Sequence, residues 1–545
     1  MTDISTNNWD VVSITDLETL NKIINSTQDG MPRPDKFDGQ DEDSDDGITV
    51  SMSGSWGDWA VTSDASGAKV NIRCDITEGI FVFNGISRDI NAGGQPSYVD
   101  IELSLAGQPA SADDYVRPGD IITDSTRCYQ LMADPASPVF VADIVCTNAD
   151  INDNSIRKGF LKTLMSEWFN GHVSEIKQIF SVVLLGLEAG NTDFQWLYPS
   201  AYSYAASGSI DENSAGFGTL TLVDGKTDTG SLSQDIDIAA LDLVKPYGAN
   251  LALIISKTMF VKHMLMKAAV SIVKGSTEAD FVISETGLSL SNKKEMVWQD
   301  FDDGNGSTIS PVLPANSFIL DLQSDFIHLS IIGAHYRPNG MCTVTMGVEQ
   351  NFRYKVEKNA SGEPVFVPDE KGLGTAAVNC TVKPDNWVDV MNIVLGVISV
   401  LAAVIAGGLG AAAWIASRAV ATVATDAAAG LVTFSVEGTD LVGEGTATTI
   451  EEISEAAGAA AAGATASPTL MNAVKVFGAM AAITGVPAAA LAITKAVWQG
   501  KYDDMPSFHD FARSVTGTSV WPGIAHTELK SATLADSFVI GLEMK

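Results

Sequence analysis

The side chains most densely placed for chemistry in this sequence are carboxylates. Asp41, Glu42, Asp43, Asp45 and Asp46 crowd one short stretch, and oxygen ligands at that density are what a calcium ion takes. A calcium loop opening at Asp41 needs glycine at its sixth position and glutamate at its twelfth, where the chain has Asp46 and Met52. The run therefore reads as part of a solvated acidic loop over 29–47. Asp300, Asp302 and Asp303, ahead of Gly304-Asn305-Gly306, could likewise hold a cation, and read more simply as an acidic turn between two strands. His328 and His335 share a strand-rich stretch. Their separation puts them on opposite faces of a regular strand, so a shared metal is not expected.

Nucleophilic and phosphate chemistry leave no mark. There is no GxSxG elbow and no HExxH, and Gly225-Lys226-Thr227 lacks the upstream glycine of a phosphate loop. Gly408-Leu409-Gly410-Ala411-Ala412-Ala413 has the spacing of a dinucleotide fingerprint but lies inside an apolar run, where small residues serve close helix packing. Cys74, Cys128, Cys146, Cys342 and Cys380 are odd in number, far apart and without CxxC spacing. They read as buried free thiols rather than a disulfide framework or zinc site. The chain is expected to be no enzyme and to need no metal or cofactor.

The elements that would position any site are mostly strands. Val99, Ile101, Leu103 and Leu105 alternate with polar neighbours, as in a half-buried strand. Further strands are expected over 48–62, 69–76, 79–89, 138–147, 217–223, 251–256, 280–290, 317–332, 342–356 and 376–383, and Phe538, Ile540, Leu542 and Met544 alternate in a last one. A long amphipathic helix over 155–188 opens on the cap cluster at Asp153 to Ser155. Its apolar face carries Trp168 and Phe180. A helix laid across a curved antiparallel sheet would cover both apolar faces.

Composition limits the partners. The 545 residues carry 33 Lys+Arg against 67 Asp+Glu, a net charge of −34, which repels nucleic-acid phosphates and anionic lipid surfaces alike. Nucleic acid is excluded as a partner. The opening residues lack the basic and apolar regions of a Sec signal. The expected site of synthesis is a bacterial cytoplasm, with release by a non-classical route.

One feature pulls against this soluble character. Residues 390–417 carry no charge, and as a helix would be roughly 42 Å long against a hydrocarbon core of about 30 Å. Residues 456–494 carry only Lys475 and are rich in Ala and Gly. The pair reads as a helical hairpin inserted at 388–500, between a β-rich body at 1–387 and a return segment at 501–545. Pro468, Gly485 and Pro487, and flanks holding only Asp389 and Arg418, favour a hairpin sheltered in a protein groove over a permanent span. A hairpin that inserts conditionally is the competing reading. The acids from Asp426 to Glu455 form its polar tip, and low pH would neutralise them. Trp168 and Phe180 on the long helix and Trp414 on the first apolar helix are the candidate groove-lining residues.

Asn8-Trp9-Asp10-Val11-Val12, followed by Leu20-Asn21-Lys22, resembles the opening of the clostridial OrfX and forty-seven-kilodalton protein family, encoded beside some botulinum neurotoxins and in insecticidal toxin clusters. In the same order, helix 161–185, Trp196-Leu197-Tyr198-Pro199-Ser200-Ala201-Tyr202-Ser203-Tyr204-Ala205, Leu253-Ile254-Ile255-Ser256-Lys257-Thr258-Met259-Phe260, segment 502–522 and the terminal strand are similar to stretches of that family. The resemblance implies an α+β, TULIP-like (tubular lipid-binding) fold: elongated, strongly curved antiparallel sheets wrapping long helices around an apolar groove. It also implies a role in toxin complexes and virulence, with a lipid or fatty acyl chain, other toxin-cluster proteins and, conditionally, a membrane as partners. It supplies no catalytic residues. The acidic charge and the Ala/Gly-rich insert depart from the family and speak against a phosphoinositide ligand.

Overall fold

Strict alternation becomes sheet. In Ser97–Ala110 the side chains of Val99, Ile101, Leu103 and Leu105 are buried and their neighbours partly exposed, and Lys69–Phe83 buries Val70, Ile72, Cys74 and Ile76 in the same way. A period of two gathers each set on one face. The computed structural model describes residues 3–384, apart from short stretches, together with 431–436 and 527–544. The chain divides into two compact units, one built on Thr2–Ile255 with Ala512–Ser531 and Val539–Lys545, the other on Ser256–Phe511 with Ala532–Phe538.

The first unit holds an 8-stranded sheet in the order Ser181–Leu185, Arg127–Ala133, Ser97–Ala110, Lys69–Phe83, Ile48–Val61, Lys36–Asp43, with Ile86–Asp89 and Phe140–Val145 paired beside this path. Its neighbours are antiparallel throughout. Across its apolar face lies the helix Ser155–His172, which buries Leu161, Leu164, Met165, Trp168 and Phe169. Asn154 caps it, its side chain accepting the Arg157 N–H at 3.1 Å, within the cluster the sequence marks for the start.

The helix is shorter than the periodicity predicts. It ends at His172, a 3-10 turn covers Val173–Glu175, and Ser181–Leu185 is a strand paired to Arg127–Ala133. The cause is burial on both faces: Ser181, Val182, Val183 and Leu184 are all buried, and an apolar run without alternation carries no period to separate helix from strand. The acidic loop is corrected too. Lys36–Asp43 is a strand at the end of the sheet order, with Asp41, Glu42 and Asp43 paired to Val50, Thr49 and Ile48. Exposed charge on such a strand discourages further strand pairing.

A second sheet, most of it in this unit, runs Thr527–Ala535, Ser537–Met544, Leu251–Ile255, Val11–Asp16, Gly216–Leu222, Ala201–Ser207, Ser66–Gly67. Every residue of Gly216–Leu222 and Leu251–Ile255 is buried. The last strand does not alternate as the sequence suggests: Phe538, Val539, Ile540 and Leu542 are all at most 1% exposed, because both faces are covered.

In the second unit a 10-stranded sheet follows the path Phe281–Ile283, Ser289–Asn292, Phe318–Leu322, Ile327–Tyr336, Cys342–Lys358, Ala377–Pro384, Leu431–Val436. The expected strands 280–290 and 317–332 each resolve into hairpins, the second turning where Gln323 N–H meets Phe326 O at 2.9 Å. Leu431–Val436 runs parallel to Ala377–Pro384 and replaces part of the expected hairpin tip with a strand. The rest of the apolar hairpin, Trp414 included, lies outside the described residues. Among those described, no helix is long and apolar enough to cross a membrane.

Helix Lys257–Met259 continues through a π turn, Phe260–Leu265, into Met266–Ile272, and is capped by Ser256, whose hydroxyl accepts the Met259 N–H. Asp302, in the ladder Phe301–Asp302 with Thr308–Ile309, pairs with Thr308 and so fits the expected strand-flanked turn. Asp280 is held well by local partners. Lys294, with the Thr277 N–H and hydroxyl, lowers its carboxyl to about 2. A depressed folded-state value contributes stability above the usual carboxylate range and loses it as pH falls toward 2. Carbon-detected titration of the native protein is expected to place Asp280 about two units below an ordinary aspartate. Lys294→Ala should raise it.

Candidate functional site

The functional candidate nearest the centre of the first unit is an aromatic nest on the inner face of the 8-stranded sheet. Its members come from three elements: Phe37 from the edge strand, Trp56 and Trp59 from Ile48–Val61, and Trp168, Phe169 and His172 from the helix. Trp56 is the hub, with ring centroids 4.6 Å from Phe37, 5.8 Å from Trp59, 5.3 Å from Trp168 and 5.3 Å from Phe169. Trp168 stacks on His172 at 4.6 Å, and the imidazole Nδ1 reaches Trp168 O at 2.8 Å.

Two tryptophans three positions apart should face opposite sides of a strand. Here the Cα partner of Trp56 is Ile76 and that of Trp59 is Cys74, so three steps on one strand match two on the other. The extra residue is a bulge, and bulges re-aim side chains. Both indoles turn inward, 8% and 0% exposed. Cys74 beside them is fully enclosed, and burial pushes its thiol well above the ordinary range.

The residues proposed from sequence as groove lining fare differently. Trp168 belongs to the nest and is 4% exposed. Phe180 is fully buried in the same continuous core, but it precedes the strand Ser181–Leu185 rather than riding the helix, and it faces Phe217 at 6.0 Å. Trp414 is among the residues outside the description. Sequence reading missed Trp56 and Trp59, since nothing in an alternating pattern announces a bulge.

Groups that could have done chemistry are engaged elsewhere. Lys226 Nζ bonds Asp10 Oδ1 at 2.6 Å, which removes it as a phosphate ligand. A bulge between Ile331 and Ala334, with Gly333 at φ 71, shifts the strand phase, so His328 and His335 fall on one face instead of opposite faces. Strand rise still separates them by roughly 20 Å. His328 Nδ1 meets Asn351 Oδ1 at 2.6 Å and His335 Nδ1 meets Gly333 O at 3.3 Å. Burial raises the thiols of Cys128 to about 11 and Cys146 to about 12. Native-state alkylation at pH 8 with peptide mapping is expected to leave Cys74, Cys128 and Cys146 unmodified until the chain is denatured.

Comparison with known proteins decides the family. The model of the OrfX-like family, Protein OrfX2/OrfX3/P47, matches residues 6–436. The chain belongs to the OrfX-like family. Two solved structures share its fold: P47 from Clostridium botulinum A2, with 13% identity and TM-score 0.57 over 99% of this chain and 98% of that one, and P47 of Clostridium botulinum E1, with 12% identity and TM-score 0.59 over 100% of both. A lipopolysaccharide binding protein aligns over 99% of each chain at 8% identity, with a TM-score of 0.22, too low to indicate a shared fold. No curated protein gives a significant match.

In this OrfX-like chain the stretches that carried the resemblance have structural tasks. Asn7 and Asn8 take left-handed backbone at φ 51 and 69, turning the chain so that Trp9 Nε1 donates to Ser233 O at 2.8 Å and Asp10 reaches Lys226. Tyr204 closes another span: its hydroxyl donates to Ala68 O at 2.7 Å and accepts the Leu105 N–H at 2.6 Å. Tyr204 thus ties the two sheets of the unit together, while Trp9 and Asp10 fix the chain's entry into its own sheet.

Proposed function

We propose that this OrfX-like chain is a non-enzymatic lipid-binding component of a bacterial, insecticidal toxin cluster, made in the cytoplasm and released without the Sec route. Its apolar groove is occupied by an acyl chain or by its own segment 388–500. The observation that carries the reading is the pairing of two features in one chain: a curved antiparallel sheet wrapped on the apolar face of a helix, and two long apolar stretches, 390–417 with no charge and 456–494 with Lys475 alone, that need shelter from water if the protein stays soluble. Lipid and other proteins of the cluster are the partners this reading names. Engaged lysine and histidine side chains support the absence of catalysis.

The same apolar stretches favour one competing role, a pore-forming or translocating component that inserts 390–417 and 456–494. Dye release from liposomes separates the two. Under the proposed reading the intact chain leaves vesicles sealed at neutral and acid pH, and deleting 390–494 abolishes folding or lipid retention. Release that grows stronger at acid pH and disappears in a deletion variant that still folds would establish the pore instead.

A further inference from the structure

The aromatic nest contains hydrogen-bond donors with nothing to donate to. Trp56 Nε1, Trp59 Nε1 and Arg33 Nη1 are buried atoms with no hydrogen-bond partner. The three are neighbours: the indole rings stand 5.8 Å apart, edge to face, and the Arg33 Cζ lies 5.6 Å from the Trp59 ring centre. Arg33 is half-buried while Trp59 is fully buried, so the set runs from near the surface inward. Its charge is felt inside, where it counters part of the rise that burial gives the Cys74 thiol. Among the described residues no carboxylate pairs with Arg33, although the chain carries 67 acids.

Indole and guanidinium nitrogens donate and never accept. Buried donors are nearly always satisfied, and a cation drawn partly out of water favours an anionic partner. Three neighbouring N–H groups without partners and one positive charge ask for a singly charged, acceptor-only group. The walls around them, Phe37, Trp168 and Phe169, are aromatic hydrocarbon. A dianionic phosphate would leave a surplus negative charge there, in a chain already at −34.

We propose that Arg33, Trp56 and Trp59 form a binding site for the carboxylate of a long-chain fatty acid, with its acyl tail in apolar surroundings. This rests on the lipid-binding reading above and adds the head group to it. Arg33 supplies the charge and one N–H. Trp56 and Trp59, aimed to the same side by the bulge, supply the other two.

Bromine quenches tryptophan fluorescence on contact, so the test titrates the full chain with dibromostearate and with the corresponding dibromostearyl alcohol. The acid should quench with an affinity at least about tenfold above that of the alcohol, as expected for a charge-assisted pair. Arg33→Met should abolish that preference, weakening the acid about tenfold and leaving the alcohol unchanged. Trp59→Phe, which keeps a ring and removes the N–H, should weaken the acid several-fold and covers the case in which Arg33→Met does not fold. Equal binding of acid and alcohol, or unchanged acid binding in Arg33→Met and Trp59→Phe, overturns the head-group site while leaving acyl binding intact. No quenching by either ligand overturns the lipid-binding reading as well.

Discussion

Trp59→Ala is expected to destabilise the first unit by about 3–5 kcal/mol, the usual cost of deleting a large aromatic from a closed core. The side chain is 0% exposed and touches Trp56 at 5.8 Å and Phe169 at 6.0 Å. Such ring pairs add about 0.5–1.5 kcal/mol beyond the area they bury. The substitution removes a ring contact within the strand and one from strand to helix together, so no single side chain can relax to fill the space. Phe140→Ala is the control: that ring is 59% exposed, and its loss should stay within about 0.5 kcal/mol. Urea denaturation of the two variants, followed by far-ultraviolet circular dichroism, checks the contrast. A Trp59→Ala midpoint equal to that of Phe140→Ala would mean that the nest does not hold sheet and helix together.

Lys226→Met carries the second large effect. Asp10 is nearly sealed, with 5% of its side chain exposed, and it accepts the Lys226 ammonium at 2.6 Å and the Val223 N–H at 3.0 Å. Removing the cation leaves a buried carboxylate with one neutral donor, which for a fully enclosed pair costs about 3–5 kcal/mol. Lys226 itself is 45% exposed, so solvent screening reduces the expectation to about 1–3 kcal/mol. Asp10→Asn in the Lys226→Met background should recover part of the loss, since the uncompensated charge is gone. A double-mutant cycle by denaturant titration measures this directly. Strict additivity of the two substitutions would show that the pair is not coupled.

Local rules in the sequence reached far into this fold. Alternation at Val99 to Leu105 located an inner face, and the cap cluster at Asp153 to Ser155 located the start of the helix. Where prediction and structure part, a long-range condition intervened. Ser181–Leu185 looks helical because it is apolar throughout, and only its pairing with Arg127–Ala133 makes it a strand. The acidic residues 41–43 look like loop because charge is rare in strands, yet a strand at the end of a sheet has reason to carry it.

The candidate site was half legible for the same reason. Trp168 follows from helical periodicity. Trp56 and Trp59 do not, because a bulge reverses the face of everything beyond it and depends on the partner strand. The shift at Gly333 reverses the expected placement of His328 and His335 in the same way. Arg33 carries no local signal at all. Only its unpaired, buried nitrogen marks it.

The central claim is that this OrfX-like chain holds an acyl lipid. Native mass spectrometry of the full chain, after incubation with vesicles of mixed fatty acid and phospholipid, tests it most directly. The account predicts a population heavier than the polypeptide by the mass of one fatty acid, surviving gel filtration and diminished in Arg33→Met. A single species at the bare polypeptide mass, at every lipid-to-protein ratio, would contradict it.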